Sequence, residues 1–139
     1  MDPDTRWLLD RAQILELTAR YNRYFDDGDP ERFAETFTED GRMVVTGGPT
    51  VAGRHALEEM CRHTPYGVVH VTVDPVVQVD GDRAVQQVTL LVLARPTPDA
   101  PPDGRVSALQ RTGHYTDELL RTPAGWRFAT RTVVLDGGL

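Results

Sequence analysis

The stretch ARYNRYFDDGDPERF, residues 19–33, closes one helix and opens another with little more than a glycine between them. Leu8, Ile14, Leu17, Tyr21, Tyr24 and Phe25 continue a mostly three- and four-residue apolar spacing through PDTRWLLDRAQILELTARYNRYF, which marks a single long amphipathic helix. Asp2 or Asp4 is placed to cap its start. Gly28 suits the left-handed residue that stops it, Asp29 caps the next helix, and Pro30 takes the first helical position. Phe33 and Phe37 give that short second helix its apolar side.

Downstream, RMVVT reads as a strand, GGPTVAG as a turn region and RHALEEMCRH as a third helix. GVVHVTVDPVVQV and RAVQQVTLLVLAR are rich in β-branched residues and meet at Asp80-Gly81-Asp82, a hairpin signal that predicts antiparallel pairing. PTPDAPPDG, residues 96–104, carries too much proline for a sheet and reads as an exposed loop. VSALQRTGHYTDELLRT and GWRFATRTVVLD form a second hairpin across PAG. Helices first and long strands after predict an α+β class fold: a cone-shaped roll, its curved antiparallel sheet wrapped around the long N-terminal helix beside two shorter helices. Residues 1–139 are expected to form one domain, with no repeat and no linker.

Composition narrows the function. A formal charge of −6 with scattered arginines argues against nucleic acid as a partner. No apolar run approaches a membrane span, and the acidic start MDPDTRW lacks the features of an export signal, so a cytoplasmic location is expected. All 15 basic residues are Arg; without lysine there is no Schiff-base chemistry. Cys61 is the only cysteine, within ALEEMC beside Leu57 and Met60, and reads as a small buried hydrophobe. His55, Glu59, Cys61 and His63 match no metal-ligand spacing, and no glycine-rich phosphate loop follows a strand. Neither metal nor cofactor is expected. Ser107, the single serine, has no nucleophile-elbow motif.

The acids of residues 19–33 separate by position. Asp27 reads as solvated, Asp29 as a cap, and Glu31 as a complement to the second helix's dipole. Asp26 differs, because it adjoins the apolar Phe25 in the last helical turn, where carbonyl dipoles disfavour a carboxylate unless a cation compensates. His70 would compensate. It lies in GVVHVTV with Thr72 and Asp74 on its face and Val69, Val71 and Val73 on the other. A lone histidine among valines can also be a hydrogen-bonded core residue. Tyr21 is about 140° from Asp26 around an ideal helix, so it is either a core aromatic or a donor in a pocket that wraps the helix end. In the strand RTGHYTDELL, Gly113, Tyr115 and Asp117 share one face, opposite His114, Thr116 and Glu118. Tyr115 and Asp117, with Tyr24, Phe25 and Thr72, are candidate substrate contacts, and Arg131 could pair with an acid.

The runs ARYNRYFDDGDPERFAETFTEDGRMVV, GVVHVTVDPVVQVDGDRA and GHYTDELLRTPAGWRFATRTVVLD resemble the SnoaL-like branch of the nuclear-transport-factor-2-like superfamily, over nearly the whole chain outside residues 96–104. The resemblance implies the cone fold. It also implies that Asp26 and His70 match the facing Asp and His of scytalone dehydratase and bile acid 7α-dehydratase, and Tyr21 the latter's pocket tyrosine. Ketosteroid isomerase is similar at Tyr21, at DGDPERF and at Asp117, but its base falls at Val45 here. Together these features point to a cofactor-independent acid–base enzyme, a lyase or isomerase of dehydratase or polyketide cyclase type. Its substrate would be an apolar, oxygenated small molecule such as a polyketide- or terpenoid-type intermediate. The same superfamily also offers a non-catalytic binding or assembly subunit, and an epoxide hydrolase in which Asp26 activates water. The valines of the outer sheet face predict a homodimer.

Overall fold

Asp2 starts the first helix, α1 (Pro3–Asp26), by accepting a hydrogen bond from the Thr5 amide at 3.0 Å on Oδ1. Gly28, at φ 68°, turns the chain away from it. Asp29 then caps α2 (Pro30–Glu35), with Pro30 in its first turn. The computed structural model describes residues 1–139. After α2 come β1 (Phe37–Val45), β2 (Thr50–Ala52), α3 (Arg54–His63), β3 (Val68–Asp80), β4 (Arg83–Ala94), β5 (Ala108–Thr122) and β6 (Gly125–Leu135). The proline-rich connection between β4 and β5 holds only one turn of 3₁₀ helix, Pro102–Gly104.

The strands form one open sheet in the order β2-β1-β6-β5-β4-β3, curved around α1 with the two short helices beside it. The α+β roll stands. Its sheet is mixed, however: β1 runs parallel to β6, while every other pair is antiparallel. Hairpin turns set the direction of β3 to β6, whereas β1 enters from α2 and meets β6 only through the tertiary fold. Thr50–Ala52, within the stretch read as a turn region, adds β2 to the outer edge of β1. Three residues are too few to show a strand period in sequence.

A bulge changes the expected alternation in β3. Pro75 has no N–H for a ladder, and the pairing with β4 shifts between Val73 and Val76, with Asp74 at φ 55°. His70 and Thr72 face inward before the bulge, and Val77 and Val79 face inward after it; Asp74 leaves that face.

Ile14, Leu17 and Tyr21 of α1 pack on Phe33, Phe37 and Phe128 in the core. The start of α1 is fastened to both hairpins. Asp10, 3% exposed, accepts from Arg121 Nη1 at 2.7 Å and Nη2 at 2.9 Å and from Trp126 Nε1 at 3.1 Å. Arg121 also donates to Asp82 and lies 4.5 Å above the Trp126 ring. No helix is long and apolar enough to cross a membrane.

Candidate active site

A second flank of α1, offset from its core flank, carries Leu15, Thr18, Ala19, Asn22, Arg23 and Asp26. Their spacing of three and four residues keeps them on one side. They form one wall of a cleft of 490 Å³ whose other wall is the edge strand β3 with Gln86 and Val88 of β4. Because β3 has a neighbour on one side only, the cleft opens beside it.

Asp26 and His70 meet across this cleft. The carboxylate accepts twice from one residue: Oδ2 from the His70 amide at 2.8 Å, and Oδ1 from the imidazole Nδ1 at 2.6 Å. The side chains are 6% and 14% exposed. The Phe25 ring stands edge-on to the imidazole at 5.1 Å and fixes its tilt. Two N–H donors offset the unfavourable carbonyl dipoles around a carboxylate at a helix C-terminus. A carboxylate can only accept, so the proton sits on Nδ1. Nε2, which makes no hydrogen bond within the protein, then keeps its lone pair in the neutral imidazole. Asp26 therefore sets the tautomer.

Two residues along the strand, Thr72 Oγ1 accepts from Asn22 Nδ2 at 3.0 Å, and its own proton has no acceptor in the protein. Deeper in the cleft, Gln86 Nε2 donates to Thr18 Oγ1 and to Asp117 Oδ2, both at 2.9 Å. Asp117 Oδ1 lies 2.9 Å from Arg131 Nε. Gln86, Asp117 and Arg131 are register partners on β4, β5 and β6, so they form one buried polar row across the sheet.

Tyr21, Tyr115 and Asp117 stand in the core behind the cleft wall. The Tyr21 hydroxyl is 3.2 Å from Met43 Sδ, and its ring lies 5.8 Å from that of Tyr115. The Arg131 guanidinium sits 4.2 Å from the Tyr21 ring and 3.6 Å from the Tyr115 ring. Burial pushes both tyrosine hydroxyls above their ordinary range. It also raises the Asp117 carboxyl, against the opposing pull of Arg131. The 140° between Tyr21 and Asp26 thus separates core from cleft. Tyr24 lies on a different flank and takes a hydrogen bond from Arg20 Nη1 at 3.2 Å.

Of the residues singled out in the sequence, the structure brings Asp26, His70 and Thr72 together on the cleft, with Phe25 behind them. Asn22, Thr18, Gln86 and Arg95 line it too and were not singled out. Asn22 was reachable by stepping one turn back from Asp26; Gln86 needed the hairpin register. At the mouth, Arg95 Nη1 donates to the Tyr66 hydroxyl at 2.8 Å. Asp27 stays exposed at the rim. Cys61 is buried, and its thiol is pushed up to about 11, so it carries no thiolate at neutral pH.

The SnoaL-like domain model matches residues 6–132. Rv3472 of Mycobacterium tuberculosis, a protein of unknown function solved as an Asp-to-Asn variant, superposes with a TM-score of 0.84 at 30% identity, covering 98% of this chain and 77% of that one. An NTF2-like protein with a cystatin-like fold from Novosphingobium aromaticivorans gives 0.85 at 30% identity over 98% of this chain and 88% of that one. A candidate scytalone dehydratase of the same species gives 0.79 at 21% identity over 96% and 88%, a likeness of fold. A search among curated proteins finds no match. The chain belongs to the SnoaL-like family.

Proposed function

We propose that this member of the SnoaL-like family is a cofactor-independent acid–base enzyme that dehydrates, isomerises or cyclises an apolar, oxygenated small molecule held between α1 and β3. The observation that carries the reading is the doubly held Asp26–His70 pair, with Nε2 left over for a ligand. His70 Nε2 takes a proton from the carbon next to a substrate carbonyl, and the imidazolium that forms is stabilised by Asp26. The Thr72 hydroxyl, uncommitted as a donor, supplies a hydrogen bond to the developing oxyanion. Tyr21, buried against Met43, is too far into the core for that part.

In a dehydration, the enolate electrons form the new double bond, the β C–O bond breaks, and imidazolium returns its proton to the departing hydroxide as water. One histidine serves both steps when proton and hydroxyl leave from the same face. Isomerisation and cyclisation begin with the same proton abstraction. Hydrolysis of an epoxide fits less well, because both Asp26 oxygens already accept from His70 and the neighbouring Asp27 is exposed.

Cyclic β-hydroxyketones fused to an aromatic ring provide the test, with water loss read as growth of enone absorbance. The wild type should form enone, and His70→Ala and Asp26→Asn should not. Equal rates in the wild type and His70→Ala would overturn the reading.

A further inference from the structure

Tyr24, set apart from the cleft, lines a separate depression of 210 Å³ between α1, α2 and β6. Three arginines from three elements meet there: Arg20 of α1, Arg32 of α2 and Arg127 of β6. Glu35 is the one acid of the wall, and it makes no ion pair with any of them. A chain of formal charge −6 thus gathers positive charge at one place, although the sequence scatters its arginines.

The three arginines differ in how they are held. Arg20 meets Glu16 at 3.4 Å and Arg32 meets Asp29 at 3.7 Å, with all four side chains more than a third exposed; such pairs contribute little and give way readily. Tyr24 stands between the two arginines. Its hydroxyl accepts from Arg20 Nη1, the Arg32 guanidinium lies 6.0 Å from its ring, and its own phenolic proton has no acceptor in the protein. Arg127 has no carboxylate partner at all. Its Nη1 donates to the Trp126 carbonyl at 2.7 Å, which anchors the half-buried guanidinium and leaves its remaining N–H groups without acceptors in the protein. Burial, with the charges of Arg54 and Arg20 nearby, holds Arg127 below the ordinary arginine range against the pull of Glu35.

A half-buried cation beside like charges is unfavourable until an anion joins it. We infer that Arg20, Arg32 and Arg127, with the Tyr24 hydroxyl, form a binding site for a phosphate group, separate from the cleft of the proposed enzyme. Guanidinium forks match pairs of phosphate oxygens, and the Tyr24 proton adds a further donor. Cations on three sides suit a tetrahedral dianion, whereas a flat carboxylate would occupy one fork. The depression is smaller than the roughly 300 Å³ at which drug-sized ligands begin to fit, which leaves space for one oxyanion and excludes a ring system from its depth.

Calorimetric titration with inorganic phosphate and with phenyl phosphate, at fixed ionic strength and neutral pH, tests the site. The wild type should bind phosphate at millimolar concentration or below, and Arg127→Met should weaken binding at least about tenfold, as expected for loss of a charged donor. Arg95→Met, which removes a cation of the cleft instead, and His70→Ala should both bind as the wild type does, so the site and the acid–base reading stand or fall separately. If Arg127→Met fails to fold by circular dichroism, Arg20→Met, an exposed position, is read in its place. Binding of both probes would identify a phosphate carried on an ester, and binding of inorganic phosphate alone would identify the free ion; either result supports the site. Absence of binding by both probes at millimolar concentration, equal affinity in the wild type and the arginine variant of the site, or loss of binding in Arg95→Met alone would overturn it.

Discussion

Asp117 and Asp26 each hold a nitrogen base or cation, and they differ in what is left over. Asp117 and Arg131 sit on adjacent central strands, both 0% exposed, and the guanidinium is enclosed by Tyr21, Tyr115 and Phe128. Asp26 and His70 join a helix end to an edge strand, and Nε2 remains beside a cleft. The chemistry of the two pairs is similar; the place in the sheet separates them. A central strand has neighbours on both sides, so a charged pair there is closed in by the core. An edge strand has an open flank, and a group there can meet a ligand.

The sharpest break of that comparison is kinetic. Asp26→Asn and His70→Ala should each lower turnover by about a hundredfold or more with the fold retained by circular dichroism, as expected for loss of a general acid–base group. The Asp26 change acts through the tautomer: an asparagine Nδ2 would donate to Nδ1, which moves the ring proton to Nε2 and removes the base.

The enclosed pair should fail in the opposite way. Asp117→Ala leaves Arg131 buried without a carboxylate and should cost about 3–5 kcal/mol of stability, read by urea unfolding. If Asp117→Ala kept stability and lost only turnover, the core pair would belong to the catalytic machinery after all.

Acid unfolding tests a third carboxylate. The hydrogen bonds from Arg121 hold the Asp10 carboxyl below the usual range, against the opposing effect of burial. Its stabilising contribution is therefore present above the unfolded carboxylate value of about 3.9 and is lost as pH falls through the lower folded value. The Tm of Asp10→Asn should lie below that of the wild type at neutral pH, and the gap should narrow below about pH 4.

Tyr21→Phe sharpens the division between core and cleft. Its hydroxyl meets Met43, so turnover should change by less than about threefold; a loss like that of His70→Ala would put a general acid–base role at Tyr21 instead. Asp27→Asn, exposed at the rim, should change neither rate nor stability. The outer sheet face, where Val73 is 37% and Val85 is 42% exposed, is proposed to pair with a second copy. Sedimentation should then give twice the 15.5 kDa chain mass.

The sequence by itself determined the elements whose causes are local. Asp2, Gly28, Asp29 and Pro30 mark helix ends through their own hydrogen bonds and backbone angles, and Gly81 marks the hairpin between β3 and β4. The pairing of Asp26 with His70 was legible because each is a polar interruption of an apolar face, and the family resemblance joined them. Tertiary structure alone decided the rest. The parallel contact of β1 with β6 joins segments some ninety residues apart, and no local pattern encodes such a meeting. The bulge at Asp74 and Pro75 changed which residues of β3 face inward. Tyr21 and Asp26 are five residues apart on one helix, yet one entered the core and the other the cleft. That outcome depended on which flank the sheet covered. Gln86 joined the buried polar row only because Thr18 and Asp117, from a helix and a neighbouring strand, came within reach of its nitrogen.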